Sequence, residues 1–288
     1  MIEKGLASDA DAIFLDLEDS VASSEKDSAR KNVISALNDR DWGKKQRIVR
    51  INDAMSPQCY RDLVDILEGS GSKLDRIILP KADSAEMVTT VGMLLHQIEA
   101  AVGRAATVVI DAQIESARGL VNCESIAVAS DRVASLVFGP GDFAGSTGMP
   151  VENLGVHDEW DMAYGSHRWH YPMSRIVVAA KAAEIQAFDG PVADFRDSTG
   201  LRRSAMTARA LGFDGKWCIH PNQISVINDV FTPAESEIMR AKQLVAAMHA
   251  GEEQGKGAVA VEGQMLDAAS LRVARMTIER ARSVGLID

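Results

Sequence analysis

The sequence predicts an α/β fold on a parallel sheet, of the (β/α)8 TIM-barrel type. Three observations predict it. Short apolar runs rich in β-branched residues alternate with longer helix-like stretches. The runs are nearly continuous in apolar character, as strands buried on both faces are. No G-x-G-x-x-G turn follows any of them, which favours a barrel over a dinucleotide-binding sheet. The length, 288 residues, holds a barrel of about 250 residues with room to spare.

Residues 3–9 have the pattern of a helix that feeds the first run, Ala12–Leu15, which leads into Asp16-Leu17-Glu18-Asp19. The next runs are Arg47–Asn52, Arg76–Lys81, Val108–Glu115 and Ser135–Pro140. A weaker sixth is Ala187–Pro191, and the seventh is Lys216–Pro221. Seven is one short of eight, so the first strand of the barrel is expected to be lacking and to belong before Met1. Asp83-Ser84-Ala85-Glu86 opens a helix with an acceptor three residues before a glutamate. Thr232-Pro233-Ala234-Glu235 opens another, with Thr232 as N-cap and Pro233 at the first helical position.

The tail differs. Thr232–Ala250 reads as a long helix and Gly251–Gly257 as a flexible tether. Residues 265–284 form an amphipathic pattern through Leu266, Ala269, Val273 and Met276. The expected domains are a barrel over 1–231 and a C-terminal helical extension over 232–288.

Charge and composition exclude several classes. Lys and Arg number 31 against 41 Asp and Glu, a net charge of −10, which opposes binding to nucleic acid or an anionic membrane. No apolar run approaches the ~20 residues of a membrane span. The opening Met-Ile-Glu-Lys-Gly-Leu lacks a signal peptide's apolar stretch, so a cytoplasmic location is expected. Cys59, Cys123 and Cys218 are odd in number and far apart, which suggests neither a disulfide framework nor a zinc site.

Barrel enzymes do their chemistry at the carboxyl ends of the strands. Those ends carry Asp16, Glu18, Asp19, Arg50, Lys81, Glu115, Asp142, Asp189 and His220. Oxygen-only ligation by such carboxylates suits Mg2+ or Mn2+ better than zinc. Each also has a plain structural reading. Asp16 serves as a turn cap, Asp19 as a helix cap and Glu115 as a first-turn glutamate. Asp142 is then a loop acid and Arg50 an ion-pair partner. His167 and His170 are three apart, but no third ligand is spaced to join them, so they are expected in a loop or on the surface. His220 is expected to be a hydrogen-bonded structural residue.

Motifs in order point to a family. They are Leu15-Asp16-Leu17-Glu18-Asp19-Ser20-Val21, Val49-Arg50-Ile51-Asn52, Leu79-Pro80-Lys81, Ile114-Glu115-Ser116-Ala117-Arg118-Gly119 and Phe138-Gly139-Pro140-Gly141-Asp142. Asp189-Gly190-Pro191, Gly215-Lys216-Trp217-Cys218-Ile219-His220-Pro221 and Val230-Phe231-Thr232-Pro233 follow. The set resembles the citrate lyase β-subunit-like CoA-thioester lyases of the HpcH/HpaI aldolase superfamily. Within it, Asp41-Trp42-Gly43 and Tyr60–Leu67 look most like malyl-CoA lyase.

The resemblance implies a homotrimeric or hexameric β/α-barrel enzyme with Mg2+ as cofactor and coenzyme A as part of the substrate. Such an enzyme joins or splits a 2-oxo acid and an acyl-CoA. By motif, Glu115 and Asp142 match metal ligands, and Glu115 with Arg50 contacts the substrate. Arg50 matches the arginine that holds the 2-oxo acid, and Glu18 and Asp19 match acids that hydrogen-bond the metal's waters. Asp267, in Gly263-Gln264-Met265-Leu266-Asp267, matches an acid/base that reaches a neighbouring subunit's site. Lys4 is either what remains of the coenzyme A contacts at the amino end or a solvated helix lysine. The implied reaction is reversible cleavage of malyl-CoA, or a methylated or citramalyl analogue, into glyoxylate or pyruvate and an acyl-CoA. A thioesterase on the same scaffold, a non-catalytic lyase subunit and a CoA-independent pyruvate aldolase are the competing readings.

Overall fold

The computed structural model describes residues 2–165, 167–261 and 263–288. The chain divides into two compact units, Met1–Ile227 and Asn228–Asp288. The first alternates strands and helices: α1 (Ile2–Leu6), β1 (Ala12–Asp16), α2 (Lys26–Asp39), β2 (Gln46–Arg50), α3 (Cys59–Ser70), β3 (Arg76–Leu79), α4 (Ala85–Val102) and β4 (Val109–Ile114). It continues with α5 (Ala117–Val121), α6 (Cys123–Ala127), β5 (Val133–Phe138), α7 (Pro140–Thr147), α8 (Glu159–Tyr164), α9 (His170–Ala182), β6 (Gln186–Asp189), α10 (Ser198–Leu211) and β7 (Gly215–Lys216).

The seven strands form one sheet in the order β1-β2-β3-β4-β5-β6-β7, and every neighbouring pair is parallel. Parallel pairing in chain order follows from the connections, because each crossover carries a helix long enough to return the chain to the same end. All four residues of β3 are buried, as a strand covered on both faces requires. The sheet curls: the ring of Phe14, on β1, lies 4.7 Å from that of Trp217, just past β7. The first and last strands are thus brought within one aromatic contact of each other.

Several expectations are corrected. The seventh strand stops at Lys216, and the chain then turns, so Trp217–Pro221 is not strand. The N-cap of α4 is Ser84, which accepts from Met87 N, while Asp83 instead accepts the hydroxyl of Ser116. Asp83 is drawn away by that tertiary bond, which leaves the cap to its neighbour.

In the second unit, α11 (Ile224–Phe231), which begins in the first unit, is followed by α12 (Glu235–Glu253), β8 (Val259–Val261), β9 (Gln264–Leu266) and α13 (Ala268–Ser283). Thr232 is not an N-cap: its amide extends α11 by donating to Asn228 O. Glu237 instead bonds back to the amide of Ala234, and α12 begins at Glu235. The expected tether, 251–257, is helical only over its first three residues. Gly251 lies inside α12, and an antiparallel hairpin of β8 and β9 follows.

The amphipathic stripe of α13 also shifts. Its buried residues are Leu271, Ala274 and Ala281, whereas Val273 and Met276 are exposed. Met248, Leu266 and Leu271 form the unit's core, so the face is set by what α12 and the hairpin present rather than by the largest side chains. No helix among the described residues is long and apolar enough to cross a membrane.

Candidate functional site

Because the strands run parallel, their carboxyl ends share one rim of the sheet. Asp16 ends β1 and pairs in register with Arg50, which ends β2. Arg50 forks onto Asp16, with Nε donating to Oδ1 at 2.7 Å and Nη2 to Oδ2 at 2.6 Å. Arg50 Nη1 lies 3.1 Å from Glu18 Oε2. The fork toward Asp16 uses two of the five guanidinium N–H groups and leaves donors on Nη1 and Nη2. Asp16 also accepts from the amides of Glu18 and Ser20, so its turn-cap reading holds together with the ion pair.

Lys81 ties the next two strands to this pair. Its ammonium donates to Glu18 Oε1 at 2.6 Å and lies 3.6 Å from Asp19 Oδ1. Its backbone has φ 49°, a left-handed conformation uncommon for a residue with a long side chain. Its amide donates to Glu115 Oε1 at 2.8 Å. Gln113 Nε2 donates to Glu115 Oε2 at 2.6 Å. Both oxygens of Glu115 are thereby oriented. Gly139 passes close by: a Cβ there would sit 2.5 Å from Glu115 Cβ and Oε2, so a larger residue would close the space beside the carboxylate.

The electrostatics follow from burial. Burial pushes the Glu115 carboxyl up to about 8, and the charges of Asp142 and Glu18 add to this against the pull of the Lys81 amide. Burial likewise raises Glu18, although Lys81 and Arg50 oppose it. Burial also acts upward on Asp16, but the hydrogen bonds and charge of Arg50 outweigh it and hold that carboxyl at about 2. Asp142, in the first turn of α7, is exposed and close enough to act on both Glu115 and Lys81. Glu115 precedes the Ser116 N-cap of α5, so it is not a first-turn helix residue. An all-oxygen cluster of carboxylates around the buried Glu115 is chemically suited to a hard divalent cation.

Glu18, Asp19, Arg50, Lys81, Glu115 and Asp142 are therefore drawn together. Lys4 is not: it is exposed on α1, with no recorded bond to the rim residues. Asp267 is exposed in the second unit, where its carboxylate caps α13 by accepting from the amides of Ala269 and Ser270. Those two bonds hold its carboxyl below the usual range. Asp189 ends β6 and is buried against Lys216 Nζ, whose side chain is 1% exposed. His220 Nδ1 accepts from Asn222 N and its ring stacks on Phe195, which makes it the structural residue expected. His170 is exposed on α9, but His167 is half-buried beside His157, which the spacing argument left out.

Gln113 escaped the reading of strand ends because it sits inside an apolar run. Its signal was the two-residue period of β4: Asp111, Gln113 and Glu115 alternate with Ala112 and Ile114 and share one face.

The chain resembles known proteins along nearly its whole length. Residues 1–221 match the family described as HpcH/HpaI aldolase/citrate lyase. The chain is 40% identical over 290 residues to a protein of Cereibacter sphaeroides named L-malyl-CoA/beta-methylmalyl-CoA lyase, covering 99% of this chain and 91% of that protein. It is 31% identical to the malyl-CoA/beta-methylmalyl-CoA/citramalyl-CoA lyase of Chloroflexus aurantiacus, covering 98% and 84%. Among solved structures, CitE of Mycobacterium tuberculosis in complex with magnesium, acetoacetate and coenzyme A superposes with a TM-score of 0.75 at 31% identity, covering 95% of this chain and 90% of that one. The chain belongs to the HpcH/HpaI aldolase/citrate lyase family.

Proposed function

We propose that the protein is a Mg2+-dependent CoA-thioester lyase. It would cleave malyl-CoA, or a methylated or citramalyl analogue, reversibly into glyoxylate or pyruvate and an acyl-CoA. One observation carries the reading: Glu115 is buried and held at both oxygens, beside the exposed Asp142 and the Glu18–Arg50–Lys81 network. The name of the Cereibacter sphaeroides relative, at 40% identity along nearly the whole chain, points to the same chemistry.

Glu115 and Asp142 would hold the ion, and Glu18 and Asp19 would accept hydrogen bonds from its waters. The fit rests on the all-oxygen donors, the raised Glu115 carboxyl and the space that Gly139 leaves. When bound, Mg2+ or Mn2+ supplies Lewis-acid polarisation of the 2-oxo acid's oxygens. Arg50 is pre-set by Asp16, and its remaining Nη donors orient the 2-oxo acid carboxylate. Cleavage passes the malyl hydroxyl proton to solvent, forms the 2-oxo acid's carbonyl with the oxygen's electron pair, breaks the bond between C2 and C3, and leaves that bond's pair on the thioester as an enolate. Asp267, as acid, protonates that enolate carbon, and as base removes the same proton in condensation. Its place in this scheme requires the tail to reach a neighbouring subunit, in a homotrimer or hexamer. Lys4 is kept as a candidate contact for coenzyme A.

The domain reading, a barrel over 1–231 and a helical extension over 232–288, is part of the proposal, as is a cytoplasmic location. The barrel would be of the eight-stranded type, with one strand position between β7 and β1. Sequential parallel order and the Phe14–Trp217 contact support that reading.

The test follows glyoxylate and free CoA separately with Mg2+ present. Equimolar glyoxylate and acetyl-CoA from malyl-CoA is the expected result. Free CoA without glyoxylate would make the enzyme a thioesterase. Asp142→Ala should abolish Mg2+-dependent turnover, and full activity in that variant would sink the metal assignment.

A further inference from the structure

The connection from α7 to α9 brings together three ligand-bearing side chains that the proposed reaction does not use. His157 precedes α8, Asp161 lies on it and His167 follows it. One ligand atom from each lies within 4.8 Å of the others. The two imidazoles stack, with centroids 4.9 Å apart and planes 22° from parallel. Both ring nitrogens of His167 are buried and, among the described residues, have no hydrogen-bond partner. A buried imidazole normally finds a partner for at least one nitrogen, so this ring presents lone-pair capacity that the protein itself leaves unused.

Asp161 is 2% exposed and is held at both oxygens by backbone amides. Arg168 N donates to Oδ1 at 3.0 Å and Asp158 N donates to Oδ2 at 3.1 Å. Each oxygen keeps a second lone pair, so these bonds orient the carboxylate without exhausting it, as partners of a metal-bound carboxylate do. Arg168 Nε is 3.7 Å from Asp161 Oδ2, but its closer ion pair is with Asp158 at 2.8 Å. His157 and His167 also face a small cavity of about 30 Å³, walled by Phe138, Trp169 and Met173. That volume suffices for one water; Asp189 and Lys216 also line it, and Asp161 does not. Gly155 anchors the segment: at φ 83°, a Cβ there would meet Pro191 O at 2.4 Å.

We propose that His157, Asp161 and His167 form a metal site of their own, for a late first-row divalent cation of the Zn2+ type, with water as the fourth ligand. Two imidazoles and one carboxylate suit Zn2+, Co2+ or Ni2+, whereas the all-oxygen rim suits Mg2+. Ligand atoms on one tetrahedral zinc lie about 3.3 Å apart, given Zn–N of ~2.0–2.1 Å, so the three groups need to close by at most about 1.5 Å. The ion would clasp the two sides of α8 together and fix the wall of the cavity. The site stands independently of the lyase reading.

The experiment uses the tag-free full chain, stripped with chelator and held in excess Mg2+ to occupy the oxygen site. Calorimetry with Zn2+ should find one equivalent bound. Co2+ should give the visible absorption of a tetrahedral site, and X-ray absorption on the Zn2+ protein should count two imidazoles at about 2.0–2.1 Å. His157→Ala and His167→Ala should each weaken Zn2+ binding at least ~100-fold, since even partners once removed from a metal are worth about 10–100-fold. Asp142→Ala should leave it unchanged. No uptake, a spectrum without imidazole, or Zn2+ binding lost in Asp142→Ala but kept in His157→Ala would overturn the proposal. The absorption count on the unmutated protein decides the matter even if a histidine variant fails to fold.

Discussion

Two carboxylates of this protein have opposite surroundings. Glu115 is buried in the first unit, held by the Lys81 amide and Gln113, and pushed up to about 8. Asp267 is exposed in the second unit, capped onto two amides and held below the usual range. Glu115 is prepared for a ligand by its own unit: burial raises the energy of its charge, and a cation or proton relieves that cost. Asp267 in its described surroundings is a stable anion and a weak base. An acid/base role for it therefore needs surroundings that replace the cap, whereas the metal role proposed for Glu115 needs no such change.

The largest expected effect separates those two lives of Asp267. Asn is as good an N-cap as Asp, so Asp267→Asn should leave the melting temperature unchanged. If the residue is the acid/base, kcat should fall by about 10²–10⁴-fold, the usual contribution of a positioned proton donor. Unchanged kcat would leave Asp267 as a cap alone.

Next comes the buried pair that supports the far side of the rim. Lys216→Met leaves Asp189 buried without its cation, and loss of one partner of such a pair costs about 3–5 kcal/mol. Urea denaturation should show this as a lower midpoint with an unchanged slope. A loss below about 1 kcal/mol would mean that Asp189 is already satisfied by the Gly190 amide.

A smaller effect tests the network that sets Arg50. The Asp16 carboxyl is lowered from 3.8 to about 2, so its ionised form stabilises the fold. That difference corresponds to about 2 kcal/mol. The stabilisation is complete above pH 3.8 and is lost as pH falls toward 2. Asp16→Asn should therefore be less stable than the parent at neutral pH, with the gap closing in acid. A pH-independent gap would point to lost hydrogen-bond geometry instead of lost charge.

Much of the rim was legible because strand ends are legible. Asp16, Glu18, Arg50, Lys81 and Glu115 lie at or just after short apolar runs, and parallel order sends all such ends to one edge. Gln113 was hidden inside a strand, and the buried pairing of Asp189 with Lys216 depends on two strands 27 residues apart. The histidine cluster was least legible, because its ligands come from before, within and after a short helix and no spacing rule folds that connection. In the tail, periodicity found the helix but chose the wrong face. Leu271 and Ala274 are buried while Val273 and Met276 are exposed, and only the partner helix and hairpin decide that.

By itself the sequence determined the alternation of strand and helix, hence a parallel sheet, and the set of charged groups at its edge. Those follow from local pattern, since continuous apolar runs must be buried on both faces and crossovers must return the chain. Only the tertiary structure decided which of those charges pair, which carboxylate is buried enough to be raised, and which histidines meet. Pairing and burial depend on residues far apart in the chain, and the energy of a charge is set by what surrounds it in space.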